Sequence, residues 1–254
     1  MRLENKVALV TGASSGIGEG IAIRFAREGA RVAVNYRSGE DRDAADRVVS
    51  ACEGRAIAVQ ADVGKRDEVQ AMVARVENEW GRLDVAVNNA GIETKRPFLE
   101  ATDEEWERVI RVNLYGPYVV SQCSARAMVA HGNGGRIVNI SSVHEDIPFE
   151  GYTSYCASKG GLRMMMRNLA LELAPQRITV NNIAPGAIAT PINQAVLDDP
   201  QAKANALSEI PLDRFGTPAD VAAVAVFLAS DEAAYVTGST YYVDGGLAQQ
   251  VTKY

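Results

Sequence analysis

Val7-Ala8-Leu9-Val10-Thr11-Gly12-Ala13-Ser14-Ser15-Gly16-Ile17-Gly18 is the stretch on which the reading of the whole chain turns. Its first half is an unbroken apolar run, the pattern of a strand buried on both faces. Its second half is a glycine-rich turn, and a helical pattern begins directly after it. A turn of this kind, between a first strand and a first helix, lets main-chain N–H groups reach a pyrophosphate, and the helix dipole favours the anion. Gly12 permits the tight turn, Gly16 a close approach, and Gly18 close packing of helix on strand. Three residues separate Gly12 from Gly16, so the spacing is not the ordinary GxGxxG. Taken alone, a glycine turn at a strand end is a weak signal.

Working outward, short β-branched runs alternate with amphipathic stretches. The runs are Val7–Thr11, Arg31–Tyr36, Ala56–Gln60, Leu83–Asn88, Arg136–Ser141, Ile178–Ile183 and Thr240–Val243. Helical patterns such as Gly18–Glu28, Arg66–Trp80 and Ala219–Ala229 lie between them. The alternation predicts an α/β fold: a single-domain, Rossmann-type, doubly wound parallel sheet of about seven strands with helices on both faces. One catalytic domain is expected over residues 1–254. The least regular stretch, Pro185 to Pro218, follows a strand end and reads as a long substrate-binding loop.

Bulk properties exclude several classes. The formal net charge is -6, without the basic patch that a nucleic-acid surface needs. The longest apolar run, Val221 to Ala229, is too short to span a bilayer. No secretory pattern opens the sequence, so a cytoplasmic location is expected. Cys52, Cys123 and Cys156 are widely spaced, and with His131 and His144 they form no metal-ligand cluster, so neither a metal nor a disulfide is expected.

Further motifs follow in order: Asn88-Asn89-Ala90-Gly91, Asn113, Ser141-Ser142, Tyr155-x-x-x-Lys159, Pro185-Gly186 with Thr190, and Val243-Asp244-Gly245-Gly246. With the glycine turn, this series resembles the short-chain dehydrogenase/reductase family over almost the whole chain. The resemblance implies an NAD(P)-dependent oxidoreductase that moves a hydride between a nicotinamide and an alcohol or carbonyl carbon. It implies cofactor contacts from Gly12, Ser14, Ser15, Gly16, Ile17 and Gly18. Others are implied at Asp62, Val63, Asn89, Ala90 and Gly91, then at Tyr155, Lys159, Pro185, Gly186, Ile188 and Thr190.

Lys159 lies one helical turn after Tyr155, on the same face. A nearby ammonium favours the phenolate, so Tyr155 is expected to act near neutral pH as base or acid. Ser142 is expected to hold the substrate oxygen. Ser141 competes with it on local sequence, and family spacing selects Ser142. By resemblance, Asn113 holds a water that links Lys159 to solvent.

Asn35-Tyr36-Arg37-Ser38, Gly91-Ile92-Glu93, Val143-His144-Glu145 and Thr190-Pro191-Ile192-Asn193 are similar to the glucose 1-dehydrogenases of that family. That likeness implies oxidation of C1 of D-glucose to the lactone, with Glu93, His144, Tyr152, Asn193 and Asp199 around the sugar. The stretch Glu145 to Ser154 and the C-terminal tail depart from that pattern. A 3-oxoacyl-carrier-protein reductase or a general carbonyl reductase of the same family shares the catalytic set, and a catalytically silent dinucleotide-binding sensor would lack it. The family also implies a homotetramer packed through helices such as Gly116–Ala130 and Ser154–Leu173, with Met164, Met165, Met166 and Leu169 as candidate contacts or as core.

Cofactor choice is read at the end of the second predicted strand. An NAD-specific site usually carries an acid there, whereas this chain has Asn35 and then Arg37. Arg37 could pair with a 2′-phosphate through its planar fork, with help from Ser14, while Asn35 could hydrogen-bond a bare ribose. The expectation is an enzyme for both NADP and NAD that accepts NADP at least as well.

Overall fold

A computed structural model of the chain describes residues 1–249; the tail beyond them lies outside the described residues. Seven strands form one parallel sheet among those residues: β1 (Val7–Val10), β2 (Arg31–Tyr36), β3 (Ala56–Gln60), β4 (Val85–Asn88), β5 (Gly135–Ile140), β6 (Ile178–Pro185) and β7 (Thr240–Val243). Their order is β3-β2-β1-β4-β5-β6-β7. The helices are α1 (Gly16–Arg27), α2 (Arg42–Ala51), α3 (Arg66–Trp80), α4 (Asp103–Ile110), α5 (Gly116–His131), α6 (Thr153–Leu173), α7 (Gln194–Asp198), α8 (Pro200–Ser208) and α9 (Pro218–Ala229).

Two apolar cores explain why the strands carry apolar runs without polar alternation. Successive side chains of a strand point to opposite faces. Ala8 and Val10 of β1 therefore enter one core with Ile21, Phe25, Val221 and Val226 of α1 and α9. Val7 and Leu9 enter the other with Met72, Val119, Met128 and Met166 of α3, α5 and α6. Full burial of a side chain such as Phe25 contributes about 1.5–3 kcal/mol.

The chain steps outward from β1 through β2 to β3, then crosses back from β3 to β4 on the other side of β1. That reversal opens a crevice at the carboxyl ends of the strands, the place where α/β sheets bind ligands.

Two features differ from the sequence reading, and a third divides residues that it left open. The stretch Pro185–Pro218 is not irregular: it holds α7 and α8, and Asp199 caps α8 by accepting from the N–H of Gln201 at 2.9 Å and of Ala202 at 3.2 Å. A five-residue π-helical turn, Arg111–Tyr115, joins α4 to α5, and it carries Asn113. On α6, Met166 is core, Met164 is exposed, and Leu169 is packed against the core at partial burial. No helix among the described residues is long and apolar enough to cross a membrane.

Candidate active site

The glycine turn closes the amino end of the crevice. Gly12 and Gly16 have φ of +58° and +61°, the left-handed region that glycine adopts at no steric cost. A Cβ at Gly12 would lie 2.8 Å from Ala90 Cα, and one at Gly18 would lie 2.5 Å from the Gly12 carbonyl oxygen and collide with the Asn89 amide. Ser15 stands at the N-cap of α1, yet its hydroxyl caps nothing, which leaves the first N–H donors of the helix facing the crevice. Ser14 and Ile17 are half-buried on either side. Thr190 lies across the turn, with its Cβ 3.5 Å from where a Gly16 Cβ would be. This is a cradle of backbone donors that any side chain would fill, and its chemistry fits a dinucleotide pyrophosphate.

Asn89 supports the cradle from below. Its amide donates to the carbonyls of Thr11 and Gly12, each at 2.9 Å, while Thr11 Oγ1 accepts from the N–H of Asn89 and of Ala90. Sequence reasoning assigned Asn89 to the cofactor; its amide is engaged in clamping the turn. Val63 is buried, and a Cβ at Gly116 would lie 2.9 Å from it. Asp62 folds back on its own loop, where Oδ1 accepts from Gly64 N–H at 2.8 Å. Gly186 donates its N–H to Val243 at the end of β7, just after Pro185. Ile188 is buried in the first core and bridges to Gly216.

Asn35 corrects one expectation. It is 1% exposed, accepts from Gly12 N–H at 3.0 Å, and donates to the carbonyls of Tyr36, Val59 and Ala61. Its amide ties the glycine turn to β2 and β3 and is not free to serve a ribose. The nearby Asp41 carboxylate accepts from the Ser38 hydroxyl at 3.2 Å. Arg37 is exposed, and no ion pair to a described residue engages it.

Across the crevice, β5 ends at Ile140 and its continuation carries Ser141 and Ser142, both buried. The two were rivals on sequence, and the structure separates them. Ser141 Oγ has no partner among the described residues, whereas the Ser142 hydroxyl sits at the Tyr155 phenol and lowers its pKa. Ser142 Oγ also accepts from His144 N–H at 3.2 Å. Tyr155 and Lys159 project from α6. The Lys159 ammonium donates to the Ile140 carbonyl at 3.0 Å and lies 5.4 Å from the centre of the Tyr155 ring.

Burial dominates the titration of this pair. It pushes the phenol up to about 12, with the Ser142 hydrogen bond acting in the opposite direction. It brings Lys159 down to about 8, opposed by the carboxylates of Glu145 and Glu93. The expected drop of Tyr155 toward neutrality is therefore absent from this geometry, because desolvation, with Glu93 and Cys156 acting in the same direction, outweighs the Ser142 hydrogen bond.

Asn113 is 1% exposed, and its amide grips Ile92 at both ends: Nδ2 donates to the carbonyl at 2.8 Å, and Oδ1 accepts from the N–H at 2.9 Å. Nδ2 also reaches Ser158 Oγ at 3.2 Å. Its side-chain amide locks the Gly91–Ile92 loop against α6. A Cβ at Gly91 would sit between Asn113 and Lys159.

The remaining candidates divide. Burial raises the Glu93 carboxyl and Lys159 lowers it, and Glu93 in turn raises Tyr155 and Tyr152. The His144 ring stands edge-on to Tyr155 at 6.2 Å. Burial depresses its pKa, which keeps it neutral. Tyr152 ends a column in which His144, Phe149 and Tyr152 stack at 4.4 and 4.2 Å; sequence reasoning missed Phe149, since a lone exposed aromatic carries no spacing signal. Asn193 donates to the Ile188 carbonyl at 2.8 Å and closes its own turn. Asp199 is an exposed helix cap whose carboxylate is taken by two N–H groups.

Comparison with known proteins agrees with this architecture. A family profile described as enoyl-(acyl carrier protein) reductase matches residues 12–248. A 3β-hydroxysteroid dehydrogenase of Eggerthella lenta is 46% identical over 96% of this chain and 94% of its own. A 3-oxoacyl-[acyl-carrier-protein] reductase of Thermotoga maritima is 43% identical (97% and 99%), and a glucose 1-dehydrogenase of Bacillus subtilis 42% identical (96% and 95%). The crystal structure of a gluconate 5-dehydrogenase from Burkholderia cenocepacia, in complex with NADP and tartrate, superposes with a TM-score of 0.92 at 35% identity, covering 98% of each chain. With its seven-stranded parallel sheet and this match over nearly its whole length, the chain belongs to the short-chain dehydrogenase/reductase family of oxidoreductases.

Proposed function

We propose that this enzyme oxidises C1 of an aldose, D-glucose in the first instance, to the lactone, with NADP or NAD as acceptor. A bound nicotinamide supplies the site for the departing hydride. The observation that carries the reading is the set of polar groups around the Tyr155 phenol: the Ser142 hydroxyl, the neutral His144 ring, and a Glu93 carboxylate that no hydrogen bond to a described residue engages. A polyol needs such donors and acceptors. Ser142 would hold the reacting oxygen, and Tyr155 would take its proton. Lys159 would supply positive charge beneath the phenol. Gly12, Gly16 and the amino end of α1 would seat the pyrophosphate.

Glu93→Ala tests the sugar contact. It should lower kcat/KM for glucose about tenfold, the value of one charge-assisted hydrogen bond, and leave the dinucleotide Kd unchanged. Equal losses toward glucose and toward a simple secondary alcohol would remove Glu93 from the sugar site.

A second reading has its own support. The aromatic column of His144, Phe149 and Tyr152 suits a flat apolar ring bearing a secondary alcohol, and one relative is named for a 3β-hydroxysteroid. Absorbance of the reduced nicotinamide, with D-glucose in one cuvette and a hydroxysteroid in another, separates the two.

For the cofactor, we propose that NADP is accepted at least as well as NAD. Asn35 is engaged with backbone, Asp41 with Ser38, and Arg37 is the cation left at the end of β2. Arg37→Ala should weaken kcat/KM for NADP about tenfold or more, and for NAD little, since a charge-assisted hydrogen bond contributes roughly 1.5–3 kcal/mol. Equal losses with both cofactors would contradict this.

A further inference from the structure

Asn88, Asn139, Asn182 and Thr240 are register partners across β4, β5, β6 and β7. The asparagines are buried, and their side chains form a directed ladder. Asn88 Nδ2 donates to Asn139 Oδ1 at 2.8 Å, Asn139 Nδ2 to Asn182 Oδ1 at 2.9 Å, and Asn182 Nδ2 to Glu145 Oε2 at 2.9 Å. Thr240 Oγ1 donates to the second carboxylate oxygen at 2.7 Å, and Arg163 Nε approaches that oxygen at 3.4 Å. Every group that meets the carboxylate is a donor, which is the surrounding of an ionised acid. The Glu145 side chain is 0% exposed. A buried charge persists only where donors and counter-charges repay its desolvation.

Its position links this anion to the chemistry. Glu145 ends the short 3-10 turn that starts just after Ser142, and a Cβ at Gly160, next to Lys159, would lie 3.9 Å from its carbonyl oxygen. Lys159 in turn is anchored on Ile140, the residue after Asn139 in β5.

We propose that Glu145 is a positioning residue for the Tyr155–Lys159 pair: a buried anion, fixed by the amide ladder, that pins α6 to the sheet and sets the electrostatic field in which Lys159 works. This rests on the assignment of that pair as the acid/base. The other groups facing the pair are few. Glu93 on the loop after β4 also favours a charged Lys159. His144, after β5, is kept neutral by burial. On α6, Cys156 is held as a thiol by burial, and Arg163 pairs with both Glu145 and Asp146. Tyr242 of β7 donates to Asp146, and burial pushes its phenol up to about 12.

Two variants of opposite sign test the proposal. Glu145→Gln keeps the shape and can still accept from Asn182 and donate to Thr240 while losing the charge. Arg163→Gln removes the counter-cation. Lysine labelled at Cε with the NMR-active carbon isotope reports the Lys159 titration in the cofactor-free protein, and Lys159→Arg identifies the resonance by its loss. The Lys159 midpoint should fall by about one pH unit in Glu145→Gln and rise in Arg163→Gln, as expected for removal of one neighbouring buried charge of each sign. The rise of glucose oxidation with pH should move in the same two directions. A merely structural role would lower Tm and leave both midpoints in place, and that result overturns the proposal. If Glu145→Gln does not fold, an unmoved midpoint in Arg163→Gln overturns it alone. Moved NMR midpoints with an unmoved rate profile overturn the catalytic part, whereas a Tyr155→Phe enzyme of undiminished rate overturns the underlying pair assignment instead.

Discussion

Tyr155→Phe should lose about 10²–10⁴ of kcat, the usual contribution of a general acid/base, with the dinucleotide Kd unchanged within about twofold. Only the hydroxyl goes. The ring keeps its place against the His144 edge and beneath Lys159. The sign of the pH dependence follows from the titration of the wild-type pair. Burial raises the Tyr155 phenol to about 12, so the residue keeps its proton through neutral pH and is ready to donate to a carbonyl. Alcohol oxidation needs the deprotonated pair, so its rate should climb as pH rises. Carbonyl reduction should fall on the alkaline side, beginning near the Lys159 midpoint of about 8, and the apparent values belong to the pair rather than to either residue. Steady-state rates in both directions check this, and a phenylalanine variant near wild-type kcat would contradict it.

Gly18→Ala should weaken dinucleotide binding by about 10–100-fold, the scale on which overpacking a close contact costs 1–3 kcal/mol. Gly18 lies in the first turn of α1. Alanine is the better helix former there by roughly 1 kcal/mol, so no loss is expected from the helix itself. The loss comes from the added Cβ, which would meet the Gly12 carbonyl at 2.5 Å and the Asn89 amide that holds it. The cradle must open or the helix must retreat. Fluorescence titration with NADP reads the Kd, and circular dichroism reads the fold. A folded variant with wild-type affinity would show that the cradle does not seat the pyrophosphate.

Much of this was legible because the signals were local. An apolar strand, a glycine turn and a helix are contiguous in sequence, and the Tyr155–Lys159 spacing is one helical turn. What stayed hidden was the long-range use of polar side chains. The Asn35 amide is taken up by backbone, and Asn89 and Asn113, read as cofactor and relay residues, also hold backbone from another part of the chain. Glu145 was given no role from the sequence, because its partners on β6, β7 and α6 are distant in sequence. Some misses were avoidable. Thr102 and Glu105 form a capping box that announces α4, and Asp199 before Pro200 announces α8. The π-turn at Asn113 has no comparable sequence signal.

The central claim, oxidation at C1 of an aldose, is tested most directly with D-glucose carrying deuterium at C1, incubated with NADP and the wild-type enzyme. The account predicts reduced dinucleotide that carries the deuterium, formed in equal amount with gluconolactone. Absence of reduced dinucleotide with this sugar, under conditions in which the same enzyme preparation oxidises another secondary alcohol, would contradict it.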